Sequence, residues 1–423
     1  MIRLHTQRQI VLFITLFFIV GLLHVFGQPT GSPYTRYGIG DINYFPNSSA
    51  LGMGGAGVAG SAINSVDLMN PALWTRIAVT RLSIGASFRG LTTTDASGSA
   101  RYGNLNFNDA MLAIPLSAPN GVVIAFGLSQ YSTIGYTIQQ ENNQTGYDYT
   151  LVNHGEGGVS QAHFGVSVNA GSDLHVGAKY NYYFGTIQHN ISQNLSNSLY
   201  SNYSVERLLQ LKGSGATIGA VYSGLTNLLH LESSKLNIGA TFTMTSYLKA
   251  DLENYASSSN GSNTTFDTSQ ISEPKLKLPF MFTTGLSYLT DHFIVATDIA
   301  IQNWNDPSVV GVLIPTLRNT YRWSFGGEFT PKREQSSPYF QRVAYRLGTF
   351  YHATYYVIND QPVNELGFTG GMSMPLQGDS RLIIAGEYGT RGATDYGLQK
   401  ERFFRLTLSF NVSELWFVRP PEE

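Results

Sequence analysis

From about residue 80 to its end, the chain alternates apolar and polar residues with a period of two, the mark of strands with one greasy face. Leu82-Ile84-Ala86-Phe88, Val122-Ile124-Phe126-Leu128, Leu174-Val176-Ala178-Tyr180-Tyr182 and Phe293-Val295-Thr297-Ile299 begin the series. Tyr321-Trp323-Phe325-Gly327-Phe329, Val343-Tyr345-Leu347-Thr349-Tyr351, Leu382-Ile384-Gly386-Tyr388 and Phe404-Leu406-Leu408-Phe410 continue it. A two-layer soluble sandwich shows the same alternation. Two features favour a transmembrane barrel instead. The greasy face is rich in Tyr, Phe and Trp near strand ends, and the segments run to about 9–11 residues, enough to cross a bilayer when tilted.

The connections alternate in length. Ser117–Gly121, Ala170–Asp173 and Thr290-Asp291 read as tight turns, whereas Tyr131–Ser160, Gly185–Ser204, Leu248–Pro274 and Asn303–Asn319 read as long polar loops. That asymmetry belongs to an outer-membrane barrel. About twelve to sixteen segments qualify as strands, and only Val205–Leu211 hints at a helical turn.

Before the first strand, Gln28 to about Arg76 is Gly- and Asn-rich without a sustained period. An irregular stretch of that length has a place inside a barrel, where lumen side chains and water satisfy its backbone. Its Gly52, Gly54, Gly55 and Gly57 include a G-x-G-x-x-G string, but no strand precedes it and no acidic residue follows about twenty positions on, so close backbone contact is preferred to nucleotide binding. Residues 1–27, with Arg3 and Arg8 ahead of an apolar stretch from Ile10 to Leu23, read as a cleavable signal peptide. The resulting layout is 1–27 signal, 28–80 hatch and 81–423 barrel.

Composition sharpens this picture. Charged residues are 13% of the chain, against roughly 25% in soluble domains. Mean hydropathy is nonetheless only -0.08, too polar for a helical membrane bundle. A net charge of -2 leaves no basic footprint for nucleic acid, and the absence of cysteine removes disulfides and thiolate metal sites. Nine histidines lie scattered without metal-ligand spacing, and Gly378-Asp379-Ser380 reads as a turn rather than a hydrolase nucleophile. No catalytic set, metal or cofactor is indicated.

Between the greasy positions of the strands stand charges of both signs that parity turns inward: Lys179, Asp298, Arg322, Glu328, Arg346, Glu387 and Arg405. They are read as a polar network that fixes the interior and holds the hatch. Other inward positions, among them Ile294, Ala296, Ala344, Phe350, Ile383 and Ala385, are apolar, which suits a greasy ligand better than a wide aqueous pore.

Three stretches resemble the FadL/TodX family of outer-membrane transporters for hydrophobic compounds. They are Leu51–Ala56 followed by Asn70-Pro71-Ala72; Leu278-Pro279 with Gly285–Tyr288, Asp298 and Trp304; and Trp323–Pro331 with Arg346-Leu347-Gly348, Tyr351, Gly367 and Pro375-Leu376. The start Ser32–Gly38 and the tail Glu414–Phe417 look like Bacteroidetes-type outer-membrane proteins. The resemblance implies an all-β antiparallel barrel of about fourteen strands with an N-terminal hatch, exported to the outer membrane of a Gram-negative bacterium. It also implies passive uptake of a hydrophobic or amphipathic small molecule of the long-chain fatty-acid kind, with lateral exit into outer-membrane lipid. Asn70, Pro71 and Ala72, with the four hatch glycines, inherit the seating and gating of the hatch. The alternative is a non-transporting barrel of the same type, acting as a scaffold with an outer-membrane protein partner in secretion or lipoprotein assembly. An apolar groove running from the loops into the lumen would favour transport; a filled lumen would favour the scaffold.

Overall fold

The computed structural model describes residues 31–44, 47–60, 65–144, 147–196, 200–228, 234–258, 275–304 and 317–414. The proposed signal peptide lies outside them. The wall opens with β1 (Thr80–Thr94), β2 (Ser99–Ser117), β3 (Val122–Gln144), β4 (Tyr147–Asn169), β5 (Leu174–Leu195) and β6 (Tyr203–Tyr222). Two interrupted strands follow: β7 as Lys235–Thr243 and Ser246–Ser258, and β8 as Lys275–Leu278 and Met281–Leu289. Pro279 has no N–H to give the ladder, which is where β8 breaks, yet both halves keep one register against β7. β9 (Phe293–Gln302), β10 (Thr320–Phe329), β11 (Ala344–Ile358), β12 (Gln361–Pro375), β13 (Arg381–Arg391) and β14 (Lys400–Glu414) complete the wall. β14 pairs with β1 from Glu414↔Thr80 to Lys400↔Thr94, so fourteen antiparallel strands close on themselves and no edge is left at the chain ends.

Period two decides which side chain meets lipid. On β10, Tyr321, Trp323, Phe325 and Phe329 point outward, while Arg322, Ser324 and Glu328 are buried inside. The same parity puts Leu82 and Ile84 of β1 outside and Arg81, Ser83 and Ser87 inside.

Two stretches expected as loops are wall. Most of Tyr131–Ser160 belongs to β3 and β4, and most of Gly185–Ser204 to β5 and β6, where the wall rises furthest. Both faces there carry Asn, Gln, Ser and Thr, so the alternation fades although the backbone ladder continues. Val205–Leu211 likewise lies in β6 and is not helical; pairing with β5 and β7 overrides its local preference. Of the other two expected loops, Leu248–Ser258 also lies in wall strand β7, while residues 259–274 and 305–316 lie outside the described residues.

The described part of the N-terminal segment runs inside the wall. It carries a 3-10 turn (Pro33–Arg36), a two-residue strand (Asp41–Ile42), a single helical turn (Ser48–Leu51) and a second 3-10 turn (Pro71–Arg76). Near the short-turn end, Val66, Leu68, Trp74 and Ile77 form a core with Met111, Ala113, Val123 and Ala125 of the wall. Towards the other end, Tyr34 and Ile39 join a larger aromatic core with Tyr136, Tyr183, Trp304 and Tyr355.

Candidate functional site

The hatch touches the wall backbone to backbone where the wall carries glycine. A Cβ on Gly348 or Gly326 would strike the backbone of Met53 and Gly54, one on Gly239 that of Val58 and Ala59, and one on Gly177 that of Pro71. A side chain at these places would hold the hatch off the wall. Gly54 and Gly55 also turn at φ +72 and +91, where other residues are strained.

Polar wall side chains then grip the hatch backbone. Asp298 Oδ2 accepts from the N–H groups of Gly57 (2.6 Å) and Val58 (2.8 Å). Thr369 accepts from the N–H of Gly54 at 2.8 Å and donates to the carbonyl of Gly52 at 3.1 Å. Lys179 Nζ donates to the Leu68 carbonyl at 2.6 Å, and Arg322 donates to the Gly54 carbonyl at 3.2 Å while lying over the Phe350 ring. Gly55 is held from within the hatch, its N–H donating to the Ala50 carbonyl. Asn70, fully buried, caps the second 3-10 turn: its Oδ1 accepts from the Ala72 N–H at 3.0 Å and its Nδ2 donates to the Val58 carbonyl at 2.7 Å. Pro71 opens that turn, where a missing N–H costs nothing.

Of the seven inward charges expected to form one network, Lys179, Asp298 and Arg322 therefore hold hatch backbone. The other four pair within the wall, Arg346 with Glu328 at 2.7 Å and Arg405 with Glu387 at 3.7 Å.

The strongest lock was not among them. Hatch Asp41 meets Arg391 Nη1 at 2.6 Å and Arg89 Nη1 at 2.7 Å, and accepts from Tyr356 Oη at 3.0 Å. Arg391 also reaches Glu401 at 2.7 Å and hatch Ser32 at 2.6 Å, and Ser32 donates to Glu401. Burial alone would push the Asp41 carboxyl up; the Arg391 and Arg89 guanidiniums more than reverse this and hold it well below the usual carboxylate range. Lower in the hatch, burial pushes Asp67 up to about 6, a shift only partly offset by the N–H groups of Asn70 and Met69 and by Lys179. Parity could have found part of the lock. Arg391 lies two inward steps beyond Glu387, and Glu401 two before Arg405.

One seam in the wall bears on the same site. β2 pairs with β3 only up to Asp109↔Ser129. Beyond it, β3 pairs with β4 and, at Ser132 and Thr133, with the hatch strand Asp41–Ile42. The hatch adds a strand to the exposed edge, and the Thr35 hydroxyl extends it by bonding to the Gly135 carbonyl and N–H. A polar cavity of about 80 Å³ remains there, bordered by Asn104, Asn106 and Asn108. Two further lumen cavities measure about 50 and 70 Å³. Some inward apolar residues are covered, Ile294 and Ala296 by Met53 and Ala56 of the hatch and Phe350 by Leu91 and Phe403 of the wall, while Ala344 and Ile383 line a further cavity. Among the described residues the hatch packs across the lumen here, and that separate cavity of about 240 Å³ lies at the short-turn end.

The family model described as BamG matches residues 7–420. The chain belongs to the BamG family. The barrel of this BamG-family chain is also found among solved structures. It is similar to the CymD monoaromatic hydrocarbon channel (15% identity, TM-score 0.57, 89% of this chain and 99% of that one). It is similar to a FadL homologue from Pseudomonas aeruginosa (12% identity, TM-score 0.58, 88% and 99%) and to the toluene transporter TodX from P. putida (16% identity, TM-score 0.56, 89% and 100%). At these identities the likeness shows the fold, a FadL/TodX-type barrel. No curated protein matches the chain.

Proposed function

We propose that this chain is an outer-membrane barrel sealed by its own hatch, and that it works through its surfaces as a scaffold for another outer-membrane protein rather than as an open channel. The hatch packed across the lumen carries this reading. A route for a hydrophobic molecule needs continuous apolar space, whereas here the hatch backbone is hydrogen-bonded into the wall and its upper end is tied by a buried ion-pair lock. Export to the outer membrane rests on the lipid-facing belt and on the FadL/TodX-type fold. The test is flux. Reconstituted in liposomes, the protein passes neither toluene nor laurate above the empty-vesicle rate, whereas a variant lacking residues 28–70 leaks small solutes. Toluene or laurate flux through the intact protein overturns the scaffold reading.

A second reading, hatch-gated uptake of a hydrophobic or fatty-acid-like molecule with lateral exit, is favoured by the parted seam between β2 and β3 and by the fold shared with hydrocarbon channels. In it, Asn70, Pro71, Ala72 and the glycines at 52, 54, 55 and 57 act as the moving seat. Co-purified fatty acid in the lumen, found by mass spectrometry, would support it.

A further inference from the structure

The largest of these four cavities lies away from the hatch lock, at the end of the barrel with the short turns. It measures about 240 Å³ and sits between hatch Ser49 and the ends of β10 to β13. Four arginines line it, Arg333, Arg342, Arg346 and Arg381, against two carboxylates, Glu328 and Asp379. The difference is two positive charges. Asp379 is moreover drawn towards Arg81 at 3.4 Å, and Glu328 towards Arg346, so neither carboxylate neutralises Arg342 or Arg381 by direct contact.

The cavity also gathers buried donors that lack acceptors. Ser49 Oγ, Ser373 Oγ, Arg346 Nη1 and Arg342 Nε belong to side chains that line it, and none of these atoms finds a hydrogen-bond partner among the described residues. Ser49, Ser373 and Arg346 are each more than nine-tenths buried. Buried donors are ordinarily satisfied, so four orphans on side chains that line one cavity point to a missing acceptor-rich group. Exposed Arg333 and Asp379 stand at its rim, which leaves a way in from the water.

We infer that this cavity binds a phosphate group. Forked guanidiniums and two hydroxyls match the acceptor oxygens of a tetrahedral oxyanion, and a surplus of two positive charges matches a phosphate monoester, which carries about −1.5 to −2 at neutral pH. A carboxylate offers fewer acceptors and half the charge. The short-turn end of an outer-membrane barrel faces the periplasm, so the group could come free in solution or on a phospholipid of the inner leaflet. The exposed Phe340, with Tyr339 beside it, sits next to the Arg342 rim, where a headgroup would arrive.

The test uses the full processed chain in detergent micelles and titration calorimetry. Inorganic phosphate and short-chain phosphatidic acid are the two probes. Arg381→Gln and Arg342→Gln, whose side chains hold no partner carboxylate among the described residues, are expected to weaken binding at least tenfold, and Ser373→Ala to weaken it severalfold. Arg101→Gln, on the exposed part of β2, is expected to leave it unchanged. Binding of inorganic phosphate identifies a soluble phosphate site; binding of phosphatidic acid alone identifies a headgroup site. Failure of both probes, or equal weakening by Arg101→Gln, overturns the inference.

Discussion

Replacing Asp41 by Asn keeps the shape of the hatch lock and removes its charge. Arg391 would retain Glu401 at 2.7 Å, but Arg89 has no other carboxylate within 4 Å among the described residues and would be left as an unpaired, mostly buried cation. Breaking a buried pair from one side costs about 3–5 kcal/mol. The Asp41 and Arg89 side chains keep 16% and 18% of their exposure, which lowers the figure to about 3 kcal/mol, or roughly a hundredfold in the docking equilibrium of the hatch. Amide hydrogen exchange reads this directly. Peptides covering 31–44 and the facing edge of β3 near 131–135 should exchange roughly a hundredfold faster in Asp41→Asn, while β12 to β14 stay protected. Adding Arg89→Met should recover about half of the loss, because the orphaned charge goes with it. Unchanged exchange at 31–44 would mean that the ion pairs do not hold the hatch. Loss of protection throughout the wall would mean that hatch and barrel are one folding unit.

Gly348→Ala should unseat the hatch or block assembly, since the new Cβ meets backbone atoms of Met53 and Gly54 that cannot swing aside; native-like hatch protection in that variant would refute the glycine contact. Trp323→Arg should cost about 2–4 kcal/mol of membrane stability in urea titrations in lipid vesicles, as a cation facing hydrocarbon. Glu328→Gln should still insert and lose stability only through the buried Arg346 it leaves, so equal defects in vesicle insertion would refute the assigned facing. Asp67 supplies a pH dependence. Its folded value of about 6 exceeds the ordinary 3.8, so the folded hatch binds the proton more tightly, and hatch stability falls as pH rises from about 4 to about 6. Two units correspond to at most about 3 kcal/mol. Exchange at 66–76, corrected for intrinsic rates, should be slower at pH 4.5 than at 7.5, and Asp67→Asn should abolish the difference. Asp41, with its depressed value, is fully charged across that window and contributes no slope there.

How much of this was legible in the sequence depended on where an alternating pattern could reach. Inside the bilayer each strand residue meets either lipid or lumen, so composition obeys parity, and Trp323 and Glu328 fall on the expected sides. Above the bilayer both faces of β3 to β6 meet polar surroundings, parity carries no information, and real strand looks like loop. Inside the lumen the hatch has no period at all. The glycines at 52 to 57 were visible as a composition, but their counterparts Gly326 and Gly348 were hidden in strands where glycine has many uses. Asp41 was invisible for a further reason: its partners come from β1 and β13, more than forty and three hundred residues away, and no local spacing encodes such a meeting. The readable half of the lock was the wall half, since Arg89, Arg391 and Glu401 all occupy inward positions. Glu365 and Glu401 both stand beside Arg391, whereas Arg89 has no wall carboxylate within 4 Å among the described residues and is left as a cation without a partner in the wall. A hatch carboxylate is the simplest answer to it.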